Sequence, residues 1–134
     1  MPCVLRASGK DFDVDAFLQK SKLKPTAVWR KGEPRRKSKP DKKNLTSGFN
    51  CDVSEQDFNN LKGQIIEAQK FLKRHKPDLQ KLVRFSGVEG ALLDFGFERR
   101  DVIFSQSDLL PAELIRLAGS IGLAIEMSLY PPTK

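Results

Sequence analysis

With 134 residues, 39% of them hydrophobic and nine of them Phe, the chain has the size of one domain with a single core that needs no disulfide to close it. No apolar run approaches the roughly 18 residues of a membrane span, and the opening "MPCVLRASGKDFD" lacks the long apolar centre of a signal peptide. The formal net charge is +7, and residues 30–43 account for nearly all of it, with eight Lys and Arg against Glu33 and Asp41. The protein is therefore expected to be a near-neutral domain, residues 1–134, with one basic element rather than a generally basic nucleic-acid binder.

The segment "CVLRAS" (3–8) reads as a strand ended by Gly9. Asp13 is placed to cap a short helix, with Phe12 before it and Phe17 four residues after it as a hydrophobic staple. Pro25 ends that helical segment, and "TAVWRK" (26–31) reads as a second strand with Trp29 in the core. A mobile basic loop is expected at about 33–46, because Gly32 precedes it, Pro34 and Pro40 stand at its start and middle, and Leu45 is its only apolar residue. "SGFNCDV" (47–53) resumes strand alternation. Ser54 is then expected to cap a long helix whose stripe Phe58, Leu61, Ile65, Ala68 and Leu72 steps by three and four, with Lys62 and Lys73 facing water. The stripe is expected to face the sheet in a monomer, and a dimer seam is the alternative. Pro77 breaks this helix and opens a shorter one.

"GALLDFGFE" (90–98) is a fourth strand and "VIFSQS" (102–107) a fifth. Pro111 fits the first turn of a last helix ended by Gly122. The final segment "LAIEMSLY" alternates, with Leu123, Ile125, Met127 and Leu129 on one side. Two βαβ-like units, 3–31 and 102–130, thus flank a long middle helix. The expected fold is α+β: a mixed or antiparallel sheet with helices on one face, as in a ferredoxin-like or related sandwich.

Chemistry-bearing patterns are sparse. Cys3 and Cys51 stand too far apart for a zinc pair and read as small, half-buried side chains in a reducing cytoplasm. His75, the one histidine, sits among Lys73, Arg74 and Lys76 and reads as the close of a helix. Asp11, Asp13 and Asp15 begin like a calcium loop, but Ala16 and Lys22 stand where the turn glycine and the bidentate glutamate belong. Asp94, in an apolar strand, calls for a hydrogen bond or an arginine. "GVEG" (87–90) reads as a turn. No acid, base and nucleophile assemble, so no enzyme activity, no metal and no cofactor are expected.

The basic element is the remaining candidate, with Arg30, Lys31, Arg35, Arg36, Lys37, Lys39, Lys42 and Lys43 as contact residues. An acidic protein partner, nucleic acid and a merely solvated or edge-blunting loop are the readings it leaves open. The lack of an aromatic residue within 32–44 argues against single-strand binding, which adds base stacking to charge.

The stretch "SGKDFDVDAFLQKSKLKPTAVWRKGEP", above all Pro25, Lys31, Gly32 and Glu33, resembles a bacterial family known as a domain of unknown function, the 4279 type. The resemblance covers about 30 residues well. It implies a protein with no known enzymatic activity, since similar small proteins occur among suspected immunity genes for bacterial toxins. The expected function is therefore non-catalytic binding of a protein partner, plausible for an immunity-type protein, with phosphate contact by residues 30–43 as the alternative.

Overall fold

Alternation along the first strand sets the two faces of the sheet. Cys3, Leu5 and Ala7 are almost fully buried, while Arg6 and Ser8, one step out of phase, keep access to solvent. The computed structural model describes residues 2–100 and 105–132. In chain order the elements are β1 (Cys3–Gly9), α1 (Val14–Gln19), β2 (Ala27–Trp29), β3 (Pro34–Arg36), β4 (Lys39–Lys43), β5 (Ser47–Ser54), α2 (Leu61–Arg74), α3 (Lys76–Arg84), β6 (Gly90–Glu98), α4 (Ala112–Ile121) and β7 (Ala124–Tyr130).

The fold is α+β, built on a mixed five-stranded sheet in the order β2-β5-β1-β6-β7, with β3 and β4 forming a separate two-stranded sheet. Within the run β6-β1-β5-β2 each strand is antiparallel to the next. Their order is that of a split β-α-β-β-α-β unit. Onto this unit α4 and β7 are added: β7 lies parallel to β6, and α4 is the crossover that parallel neighbours require. The second βαβ unit is thus β6-α4-β7, beginning at Gly90, and not a unit starting at 102. Of the strand expected at 102–107, residues 105–107 are irregular and 102–104 lie outside the described residues.

One face of the sheet carries the helices. Leu5, Phe49, Leu93 and Phe95 from the strands join Phe12, Phe17, Leu72, Leu79, Leu82 and Leu114 in a single apolar cluster. Phe17 stacks on Phe49 at 5.8 Å, and Phe85 meets Phe17 edge-on at 5.4 Å. Asp13 caps α1 by accepting the Ala16 N–H at 3.0 Å, and Phe12 and Phe17 staple the turn with ring centroids 6.3 Å apart. Gly9 faces a carbonyl: a Cβ there would fall 1.8 Å from the Gly87 oxygen, so only glycine lets these chains approach.

The middle helix starts later than its sequence suggests. Ser54 does not cap it, because the Ser54 hydroxyl accepts the Gln56 N–H and donates to Glu67. Residues 55–60 instead run off the sheet, held by buried Gln64, whose amide donates to the Asp57 and Gly96 carbonyls. Asn60 is the cap, accepting the Gly63 N–H at 2.9 Å. Phe58 consequently leaves the stripe and packs edge-on against Tyr130 at 5.1 Å. Ile65, Ala68 and Leu72 do face the core, whereas Leu61 is only half-buried. Pro77 lies in the first turn of α3, and Gly122 ends α4 in the left-handed conformation, as expected.

Met127 and Leu129, on the side of β7 that carries Ile125, are 37% and 55% exposed. They lie on a strand that pairs, among the described residues, only with β6. Cys3 and Cys51 are both free and buried rather than half-buried. Burial pushes the Cys3 thiol far above its ordinary range and also raises that of Cys51.

Candidate anion-binding site

The basic segment is a β-hairpin rather than a loop without regular structure. Pro34 pairs with Lys43 and Arg36 with Lys39, and a register irregularity lies between them. Neither proline prevents pairing in a two-stranded ribbon, where each strand has one unpaired side. Every residue from 34 to 43 is exposed. Nothing apolar in the hairpin reaches the core cluster, which explains why its sequence shows no strand alternation.

Its root is tied to the main sheet. Gly32, at φ +85°, turns the chain out of β2. The Gly32 N–H donates to the Asn44 carbonyl at 2.9 Å and the Asn44 N–H to the Glu33 carbonyl at 2.8 Å. The Asn44 side chain donates to the Arg30 carbonyl, and the Lys31 N–H to Ser47 Oγ. Arg30 forms a two-pronged bond to Asp15 at 2.9 and 2.7 Å, and it lies 3.8 Å from Glu33. The Arg30 guanidinium bonded to Asp15 holds that carboxyl below its usual range, and the same bond pushes Arg30 further up.

Trp29 is the floor of the site. Val28 pairs with Phe49 and packs on the core, so Trp29, the next residue, emerges on the helix-free face opposite Gly48. A Cβ at Gly48 would lie 2.6 Å from Trp29 Cζ2, so the missing side chain makes room for the indole. The indole N–H donates to Thr46 Oγ1 at 3.3 Å. Trp29 is therefore half-buried beside the hairpin and not in the core. With Arg35, Arg36, Lys39, Lys42, Asn44, Leu45 and Thr46 it lines an open hollow of about 650 Å³. A smaller hollow of about 290 Å³ at the hairpin root shares Trp29 and Arg35 and adds Arg30, Glu33, Lys37 and Pro40.

Of the eight candidate residues, the structure brings Arg35, Arg36, Lys39 and Lys42 together on the larger hollow. Arg30 is engaged with Asp15 and Glu33, Lys37 lines the smaller hollow, and Lys31 and Lys43 line neither. Sequence reasoning left out Trp29, Asn44, Leu45 and Thr46. The signal for Trp29 was present in the alternation of "AVW": if Val28 faces the core, Trp29 does not.

Elsewhere, several titratable groups singled out by the sequence have structural partners. Asp94, 7% exposed, accepts from Arg6 and from the Ser128 hydroxyl, both at 2.6 Å. His75 joins α2 to α3 and lies 4.6 Å from the Phe71 ring; burial first, then Arg74, lowers its pKa. Asp13 is spent on a helix cap and Asp15 on Arg30. Among the described residues no group of three or more His, Cys, Asp or Glu is placed to hold a metal ion, and no helix is long and apolar enough to cross a membrane.

The family described as Domain of unknown function (DUF4279) matches residues 1–132, nearly the whole chain. The chain belongs to this family. No curated protein and no solved structure matches it. In this DUF4279 chain, Lys31, Gly32 and Glu33, three of the residues that carry the resemblance, form the root from which the hairpin leaves the sheet.

Proposed function

We propose that this protein is a non-catalytic binding protein that engages a polyanionic macromolecule through the β3–β4 hairpin. The observation that carries the reading is the hairpin itself. It is regular structure that contributes nothing to the core, with all ten of its residues exposed and six basic side chains against Asp41 alone. A charged element of this kind raises association rates with an oppositely charged partner. An acidic toxin-like protein, the partner of an immunity-type protein, has this chemistry, and so does nucleic acid. The two free, buried thiols support action in a reducing compartment such as the cytoplasm.

The test compares the wild type with a variant in which Arg35, Arg36, Lys39 and Lys42 are all Gln. Binding to heparin, polyglutamate and oligonucleotides is measured at low and moderate salt. The wild type is expected to bind at least one of these in a salt-dependent way, and the variant to lose most of that affinity. Equal binding by both proteins, or none by the wild type at low salt, would overturn the reading.

A further inference from the structure

Building on the hairpin as the binding element, we infer that its larger hollow is a single-stranded nucleic-acid site, with a base stacked on Trp29 and the adjoining phosphates held by Arg35, Arg36, Lys39 and Lys42. Charge alone does not separate nucleic acid from an acidic protein, because either neutralises four cations. The indole separates them. It is the one Trp of the chain, it lies outside the core, and it shares the hollow with these four side chains.

The ring is also held in place before any ligand arrives. Its N–H is tied to Thr46, and its six-membered ring lies against Gly48. A fixed aromatic surface beside a basic rim is what single-strand binders use, and stacking tolerates any base because each has a π face. A duplex keeps its bases inside the stack and offers the indole nothing. A carboxylate-rich protein surface occupies the cations and likewise supplies no flat partner ring.

The four cations are free for such a ligand. Among the described residues none of them is in an ion pair, whereas Arg30 is paired with Asp15 and Glu33 and so belongs to the scaffold. Asp41 is the one carboxylate within the hairpin, and it does not line the hollow.

Because Trp29 is the sole tryptophan, its fluorescence reports on the site directly. The full chain is titrated with oligo(dT) of about twelve nucleotides, with the same strand in duplex with oligo(dA), with inorganic polyphosphate and with polyglutamate. The single strand is expected to quench Trp29 and to bind more tightly than the duplex. With four phosphates contacted, log affinity should fall with log salt at a slope of about −2.8. In the anisotropy of a dye-labelled strand, which needs no tryptophan in the protein, Trp29→Ala should weaken binding roughly 5- to 150-fold, the span of one lost base–aromatic stack, while Trp29→Phe, which keeps a ring, should retain most of it. If the alanine variant fails to fold, the wild-type quenching and the phenylalanine variant decide the matter. Binding of polyphosphate or polyglutamate as tight as that of the single strand, without quenching by the strand, would refute stacking and leave the polyanion reading standing. Absence of binding to every probe would overturn both.

Discussion

Excising the hairpin separates its proposed role in binding from any role in stability. Glu33 and Asn44 already lie side by side, joined by the Asn44 N–H to Glu33 carbonyl bond of 2.8 Å. Replacing residues 34–43 with Asn-Gly should close them through a two-residue turn. The deleted residues are all exposed, and none belongs to the core cluster, so no apolar burial is lost. An isolated two-stranded ribbon is marginal in water and contributes little on its own. Shortening the connection from ten residues to two lowers the closure cost by about 1.4 kcal/mol at most. The excised protein should therefore match the wild type in a urea melt or exceed it by about 1 kcal/mol, with a similar m value. Six basic residues and Asp41 leave together, so the net charge falls by five from +7 to +2, and polyanion binding should go with it. A loss of more than about 2 kcal/mol, well outside the entropy term, would show that the hairpin packs on the domain and that its exposure has been misread.

Two further outcomes are expected. Leu72→Ala, at a fully buried position on α2, should cost about 2–5 kcal/mol in a denaturant melt, Leu61→Ala at its half-buried position should cost less, and Lys62→Ala less than about 0.5 kcal/mol; equal losses at positions 72 and 62 would mean that the helix is not seated as described. Arg30→Gln removes the bond that depresses the Asp15 pKa, and a depressed carboxylate stabilises above its unfolded pKa of about 4 and loses that contribution as pH falls through the lower folded value; the small difference in melting temperature between variant and wild type should therefore be present at neutral pH and vanish in strong acid, and a difference that grew on acidification would contradict the assignment.

The parts of the fold that could be read from sequence are those where burial imposes a period. Strands β1, β5 and β6 alternate or run apolar because one of their faces covers the core, and each begins and ends within about two residues of its expected limits, inside the usual scatter of assignments, as does β7, although none of its residues is buried. The start of α2 was misplaced because Ser54 has the composition of a cap, yet its hydroxyl is taken by Gln56 and Glu67. A cap depends on which N–H groups are near, and that is set by the path of residues 55–60 rather than by residue type. The hairpin was illegible for another reason. Its pairing is backbone to backbone, and exposed lysines and arginines leave no periodic trace. The candidate site was legible as charge but only half as a place: the alternation of "AVW" turns Trp29 away from the core, but the room for its indole depends on Gly48 across the sheet.

The rest of the helix-free face limits where an anionic ligand can run. Beyond Trp29 that face presents Asp52 on β5, Asp94 on β6 and Glu126 on β7, each in phase with Arg6 along the ladder. Arg6 is the one cation among them on the strands, and its guanidinium is already bonded to Asp94 at 2.6 Å. A phosphate chain crossing from β2 toward β7 would therefore pass from a cluster of free cations into a region of like charge, with only a compensated arginine on the way. Like charges in a partly screened environment repel over a Debye length of about 8–10 Å, which is roughly two strand spacings. The favourable path stays at the β2 edge, along the hairpin and over Trp29. For the single strand proposed above, this limits the expected site to a few nucleotides, with the four hairpin cations and one stacked base carrying most of the affinity.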